Sequence, residues 1–174
     1  KSRVFNSNSN LSGPDRPYRE AFAGGKFYHA FLNVNDYHRY HFPLDGTIKE
    51  IRVIPGDDAL GGSITWEPEL QQYVVDCSVP GWQSIETRGL VILDTEDYGL
   101  VAGMPIGMSQ VASVNFEPEL QVGTKVKKGD MLGYFLFGGS DFALVFQKDA
   151  NFKLTAPKND KGAWNHLLMG EEIG

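Results

Sequence analysis

Short runs of apolar residues, separated by turn residues, dominate this sequence. Most runs are rich in β-branched and aromatic residues and end at Gly, Pro, Asn or Asp, which is the pattern of β-strands. The predicted strands are Lys26–Val34, Thr47–Ile54, Gln83–Asp94, Tyr98–Gly107, Val111–Phe116, Met131–Phe137 and Phe142–Gln147, with Asn151–Leu154 as a further candidate. Many short strands between frequent turns predict an all-β fold, either a sandwich or a barrel.

Helical patterns are few and short. Residues Pro17–Ala23 predict one or two helical turns, ended by the two glycines that follow. A second short helical turn is predicted over Asp36–Tyr40, with Asn33 or Asn35 as its N-cap. The fold class is therefore all-β with a few short helices.

The chain length fits a single domain. With 174 residues it can bury a core without disulfides or metals. The polar, turn-rich residues 1–17 predict a surface loop or linker, and residues 18–174 the domain itself. The segment Pro55–Val74 has few paired apolar positions and is interpreted as a long loop that could lie close to the functional site.

The charge and cysteine content exclude several classes of function. The formal net charge is -6, so a nucleic-acid partner is not expected. The single cysteine, Cys77, cannot form an intrachain disulfide, and no Cys/His spacing indicates zinc. No apolar run is long enough to span a bilayer, which favours a soluble cytoplasmic protein. The chain begins at Lys1 rather than Met, which suggests a fragment or processed product, and a preceding segment could supply membrane association.

Two histidines lie close together in a segment that also carries a carboxylate. His38 and His41 have the spacing i and i+3, which places them on one side of a helical turn. Histidine transfers protons near neutral pH, and Asp36 could orient one ring. The alternatives are a metal pair or two surface histidines. A metal would need a third ligand, and neither His29 nor His166 has a recognisable metal spacing.

A glycine pair precedes a serine in Phe137-Gly138-Gly139-Ser140. Two glycines allow backbone conformations and close approaches that other residues do not, so the serine could be a nucleophile on a strained turn. The hydrolase pattern Gly-x-Ser-x-Gly is absent, because Ala143 does not supply the second glycine. The alternative is a glycine bulge between two strands.

Glycines and valines recur at fixed spacing over Val122–Gly133. This segment resembles the turn of biotinyl and lipoyl carrier domains, which indicates a barrel-sandwich-hybrid-like fold. The modifiable lysine of such carriers, in Met-Lys-Met or Asp-Lys-Ala, does not occur in the sequence. The resemblance therefore informs the fold and not the function.

Taken together and in this order, the three motifs resemble the phosphatidylserine decarboxylase family. The resemblance extends from about Tyr18 to Glu172, and is closest to the soluble branch that includes fungal aromatic amino-acid decarboxylases. The segments that carry it are Phe31–Ile48, the strand with Arg88, Ile106-Gly107-Met108 with Val111 and Ser113, and Val122–Leu144.

The resemblance implies a self-processing enzyme with a pyruvoyl group. In this family the serine, here Ser140, attacks the carbonyl of the preceding glycine, here Gly139. The resulting ester is broken by β-elimination, and the downstream chain then starts with a pyruvoyl group. That group forms a Schiff base with the substrate amine, without metal or pyridoxal phosphate. His41 matches the base of the self-cleavage, and His38 matches the histidine that handles substrate protons.

The sequence departs from the family pattern at two places. In the family, the aspartate that usually supports the base lies in an upstream Ser-Pro-x-Asp-Gly motif. In this sequence only Pro43–Gly46 matches part of that motif, as Pro-x-Asp-Gly, and it follows the histidines instead of preceding them. Asp141 stands where lipid enzymes usually have threonine, and its carboxylate could repel an anionic headgroup.

The resemblance therefore implies a small amine or amino acid as substrate, with phosphatidylserine as the second possibility. Phe137 could line an apolar pocket for it. A homodimer is also possible. The competing hypotheses are an unprocessed proenzyme and a non-enzymatic binding module of the same fold.

Overall fold

The computed structural model describes residues 18–33, 35–56, 63–69, 71–76, 82–108, 113–136 and 140–174. These residues form a short helix, one turn of 3-10 helix and eleven strands. The elements are α1 (Tyr18–Ala21), β1 (Lys26–Leu32), β2 (Arg39–His41), β3 (Gly46–Ile54), β4 (Ser63–Glu67), β5 (Gln72–Asp76), the 3-10 turn (Trp82–Ser84), β6 (Arg88–Thr95), β7 (Gly99–Gly107), β8 (Val114–Phe116), β9 (Lys125–Val126), β10 (Met131–Phe135) and β11 (Ser140–Phe146).

The largest sheet has six strands in the order β1-β11-β7-β6-β3-β9, and each neighbouring pair is antiparallel. Strands β6 and β7 form a hairpin, with Thr95 paired to Gly99. In contrast, β11 reaches its neighbours from far along the chain. It lies between β1 and β7, with seven residue pairs on each side.

A smaller sheet packs over one face of the large one. It has three strands in the order β2-β10-β8. A buried cluster joins the two sheets, because Tyr40 and Leu132 of the small sheet pack with Val91 and Leu93 of the large one. The other face of the large sheet has its own cluster, built around Phe22 and including Met104. The sheets are not closed into a barrel, so the all-β prediction is confirmed as a sandwich-like fold.

The predicted helical turn at Asp36–Tyr40 is wrong. Residues Arg39–His41 form strand β2 instead, and the residues on either side of His41, Tyr40 and Phe42, are buried. Strand β2 pairs with β10, about ninety residues further along the chain, and this pairing outweighs the weak local helix signal. The two histidines therefore belong to an extended segment, where residues of opposite parity point to opposite sides.

Three other predictions need correction. Residues Trp82–Ser84 form a 3-10 turn. The strand predicted over Gln83–Asp94 therefore begins only at Arg88. The presumed loop Pro55–Val74 contains β4 and most of β5, whose β-branched and aromatic residues favour a hairpin. Residues Asn151–Leu154 form no strand in the described structure, and Phe152 instead packs its ring against Phe146.

The glycine-valine segment forms turns that require glycine. Gly123 and Gly129 both have φ of 92°, a backbone conformation that residues with a side chain rarely adopt. Gly133, within β10, is required for another reason, because a methyl group there would collide with the carbonyl oxygen of Asn115 on β8. These glycines therefore let β10 run close beside β8 and lead the chain towards Ser140.

Candidate active site

Ser140 is the first residue of β11 and is fully buried. It pairs with Leu32 on one side and with Gly107 on the other. Its hydroxyl has no hydrogen-bond partner among the described residues, which is unusual for a buried polar atom. The predicted neighbours Phe137, Gly138 and Gly139 lie outside the described residues.

The next residue, Asp141, is buried on the opposite side of the strand. Its Oδ2 lies 2.9 Å from Nδ1 of His29, on the adjacent strand β1, and 3.4 Å from Nε2 of Gln83. Its Oδ1 has no partner in the described structure. Burial raises the pKa of the Asp141 carboxyl, and the hydrogen bond that the His29 ring donates to Asp141 raises the pKa of His29. The carboxylate predicted to repel an anionic headgroup is therefore paired and inside the protein.

The structure places His38 and His41 on different sides of the small sheet. His38 directly precedes β2 and shares its side with the buried Tyr40. Its ring lies 6.3 Å from that of Phe135, and Tyr40 packs on the same ring at 4.9 Å. His41 points the other way, where its ring stacks on Tyr37. Of the two histidines, His38 is thus the one turned towards the interior of the sandwich.

Backbone carbonyls orient both rings. Nδ1 of His38 lies 2.6 Å from the carbonyl oxygen of Asp36, and Nδ1 of His41 lies 2.8 Å from that of Gly129. A carbonyl only accepts, so each Nδ1 carries a hydrogen, and in a neutral ring the basic lone pair is on Nε2. In His41 this lone pair faces the Tyr37 hydroxyl at 2.9 Å. Both rings, when neutral, are therefore held with the lone pair on Nε2.

The Asp36 side chain is not the partner of either histidine. Its Oδ2 accepts the backbone N–H of Asn33, and its Oδ1 lies 3.1 Å from Nε2 of His166 in the C-terminal segment. The predicted orienting role therefore belongs to the Asp36 carbonyl and not to its carboxylate. The carboxylate instead ties the C-terminal segment to the loop before β2.

His29 is the member of this neighbourhood that sequence reasoning missed. It was considered only as a metal ligand, because its partner lies 112 residues away in sequence. One signal was available, since Asp141 is a charged residue at the start of an apolar strand, and a buried carboxylate needs a donor or a cation. Nothing local identified β1 as the strand that supplies it.

The described part of the chain shows no grouping of three or more metal-ligating side chains. It also contains no helix of the length and apolarity needed to cross a bilayer. Arg88 is a buried cation on the same sheet, where burial lowers its pKa to about 10 and Nη1 donates to the carbonyl of Glu86.

The fold and this site together define a class, an all-β domain with a buried serine at the start of a central strand. The family model described as "Phosphatidylserine decarboxylase" matches residues 2–174. The chain belongs to the phosphatidylserine decarboxylase family, as the motifs predicted.

Individual relatives act on different substrates according to their names. The chain is 36% identical to the decarboxylase iboD of Amanita muscaria over 146 residues, covering 78% of the chain and 41% of that protein. It is 33% identical to the L-tryptophan decarboxylase of Psilocybe cyanescens, covering 79% of the chain and 33% of that protein. It is 34% identical to a phosphatidylserine decarboxylase proenzyme of Fusobacterium nucleatum, covering 92% of the chain and 50% of that protein. The chain thus spans half or less of the length of these relatives.

Proposed function

We propose that this chain is the catalytic part of a decarboxylase that makes its own pyruvoyl group from Ser140. The observation that carries the proposal is the Ser140 hydroxyl, which is fully buried and has no hydrogen-bond partner in the described structure. A buried hydroxyl without a partner lowers stability, so a functional reason for it is favoured. Its position directly after Gly138-Gly139 supplies that reason.

The cleavage is a rearrangement of the bond between Gly139 and Ser140. A base takes the Ser140 hydroxyl proton, Oγ bonds to the Gly139 carbonyl carbon, and the peptide C–N bond breaks to give an ester and a free amine. Loss of the Cα proton then expels Gly139 as a carboxylate. One water enters and the nitrogen leaves as ammonia, which leaves a ketone at residue 140.

We assign the base to His41 on the family motif, and its tautomer suits the role because Nε2 carries the lone pair. In the described structure that lone pair faces Tyr37, so His41 must exchange this partner before it can act. His38 is assigned to the substrate. It lies on the inner side of the small sheet, from which it could return a proton to the substrate carbon.

The residues around Ser140 fit a pyruvoyl group. Strand β11 is held by Leu32 on one side and Gly107 on the other, so the group would start a strand that is fixed along both edges. When present, the group supplies an electron sink for an amine substrate that loses its carboxylate as CO2. The chain's own residues would hold the strand, exclude water and return the proton.

An amino acid is the proposed substrate, with phosphatidylserine as the second candidate. The similarity to the L-tryptophan decarboxylase and to iboD supports the first, and the similarity to the bacterial proenzyme supports the second. Purified full-length protein should be given a panel of amino acids and phosphatidylserine vesicles, with released CO2 measured. Release from the vesicles alone would overturn the choice of an amino acid.

Intact-mass spectrometry and a denaturing gel of the full-length wild-type protein test the self-cleavage. The expected result is one piece that ends at Gly139 and another that begins at residue 140 with a carbonyl in place of an amine. A hydrazide probe should label only the second piece. An uncut wild-type chain would overturn the proposal and leave the binding module of the same fold.

A further inference from the structure

A partly buried ion pair ties the candidate cleavage site to the neighbouring strand. Asp141, the residue after Ser140, pairs in register with Phe31 on β1, and His29 pairs with Ala143. His29 and Asp141 are therefore diagonal neighbours on one face of the sheet, a spacing within reach of long side chains. Their 2.9 Å contact joins β1 and β11 at the residue next to the bond that would be cut.

The surroundings make His29 the main electrostatic partner of this carboxylate. The Asp141 side chain has no solvent exposure, whereas the His29 side chain is 23% exposed. Gln83 contributes a neutral donor at 3.4 Å. Arg88 of β6 lies on the same face, because Arg88 and Asp141 each pair in register with Ile106 of the intervening strand β7. Its Nη1 donates to the Glu86 carbonyl. In the part of the chain that is described, His29 is the only cation in ion-pair contact with Asp141.

Alternation along β11 separates the pair from the reacting hydroxyl. Ser140 and Asp141 are consecutive in a strand, so their side chains leave opposite faces. Asp141 shares its side with Ala143 and Val145, in the cluster on the outer face of the large sheet. Fixing the Asp141 side chain on that face therefore fixes Ser140 facing the other way. The pair does not touch the hydroxyl, so its effect on Ser140 is through the backbone.

We propose that His29 and Asp141 form a positioning pair for self-cleavage, which holds the start of β11 against β1 and works only while it retains its shared proton. This inference rests on the proposed cleavage at Ser140. The two groups titrate as a unit, since each lies within hydrogen-bond distance of the other. The part-exposed His29 ring gives that buried proton a route to solvent.

The pair gives cleavage a specific pH dependence. Asp141 raises the pKa of His29, and burial raises that of Asp141, so the folded pair holds its proton to higher pH than isolated groups would. Loss of the proton from the pair should produce a falling limb at alkaline pH.

The test follows cleavage of full-length protein newly made by cell-free translation, transferred to buffers across a range of pH and analysed on denaturing gels. His29→Gln and Asp141→Asn should each slow cleavage roughly ten- to hundred-fold, as small displacements of reacting groups do. The double variant should be no slower than the slower single variant, because both remove one interaction. Asp94→Asn is the matched control, since it removes another cross-strand ion pair of the same sheet and should cleave normally.

His29→Lys separates positioning from folding. It keeps a cation on a part-exposed strand position, so it should recover most of the rate and move the alkaline limb towards the higher pKa of lysine. Circular dichroism and thermal melting identify any variant that is not folded. If His29→Gln and Asp141→Asn do not fold, the cleavage rate and pH profile of His29→Lys test the pair. The proposed pair would be overturned if folded His29→Gln or Asp141→Asn were cleaved at the wild-type rate. It would also be overturned if His29→Lys left the alkaline limb of the pH profile unchanged.

Failure of the proposed function has a different signature. If the wild-type protein stays uncut at every pH, the self-cleavage itself is wrong, and the pair is overturned with it. If the wild type is cut and Ser140→Ala is not, the cleavage stands and the pair is judged by its own variants.

Discussion

Two regions of the molecule carry the histidines of interest, and they differ in how the protein holds its imidazoles. His38 and His41 lie in or beside a three-residue strand, and backbone carbonyls orient both rings. His29 lies in a seven-residue strand of the large sheet and is held by a buried carboxylate. Carbonyl contacts fix a tautomer without adding a charge, whereas a carboxylate raises the tendency of the ring to keep its proton.

Under the proposed function, this difference would divide the chemistry between the two regions. In each ring with a carbonyl partner, the lone pair of the neutral form is on Nε2, the atom that could take a proton. A ring paired with a buried carboxylate is suited to holding a charge and a strand in place. Under the proposed function, the first region would transfer protons and the second would hold the geometry of the cleavage site.

The largest expected effect comes from Ser140→Ala, which belongs to neither region and removes the group that both would serve. Cleavage should be abolished, because no nucleophile remains. Melting temperature should change little or rise, since the substitution removes a buried hydroxyl without a partner. Thr95→Val is the matched control. Its buried hydroxyl bonds to the Gly99 carbonyl, so this variant should lose stability and still be cut.

Alanine substitutions at the two motif histidines test the first region. His41→Ala should slow cleavage by roughly a hundred-fold or more, the usual contribution of a general base. His38→Ala should still be cut but release little CO2. The exposed His166→Ala serves as a control and should change neither measurement strongly. If His38→Ala stops cleavage while His41→Ala does not, the inward-facing ring is the base and the assignments are reversed.

His29→Gln tests the second region through stability. Removing one partner of a buried pair leaves the Asp141 charge poorly compensated, at a cost of about 3 kcal/mol. His29 has a raised pKa in the folded state, so its contribution is fully present below pH 6.5 and is lost as pH rises through the raised value. Urea unfolding of both proteins should show a difference that shrinks at alkaline pH. A constant difference would contradict the linkage.

The smallest effect is expected from the exposed pair between Lys49 and Asp94. Their side chains are 42% and 49% exposed and lie 3.0 Å apart. Lys49→Ala should change the free energy of unfolding by only about 0.5 kcal/mol, as is usual for surface pairs. A loss comparable to that of His29→Gln would mean that burial does not distinguish the two ion pairs.

Local patterns predicted the parts of this fold that depend on neighbouring residues. The hairpin of β6 and β7 follows from two apolar runs around a short turn, and β1, β3 and β10 lie where their runs indicated. The order of the motifs also identified the family before any contact was known.

The remaining features depend on contacts between distant residues, which periodicity does not show. Strand β2 is only three residues long and exists because β10 pairs with it. Its extended conformation sends His38 and His41 to opposite sides, where a helical turn would have put them together. His29 and Asp141 are likewise joined only when β1 and β11 become neighbours.

The central position of β11 has a consequence for what a cut would produce. Two polypeptides would result, yet the second would begin with a strand bonded along both edges, to β1 and to β7. Separating them would require opening two ladders of seven residue pairs at once. The mature protein would therefore migrate as one particle in a native gel and as two bands after denaturation. Once denatured, it would have to reassemble from two molecules, so its refolding would depend on concentration, unlike that of the uncut chain.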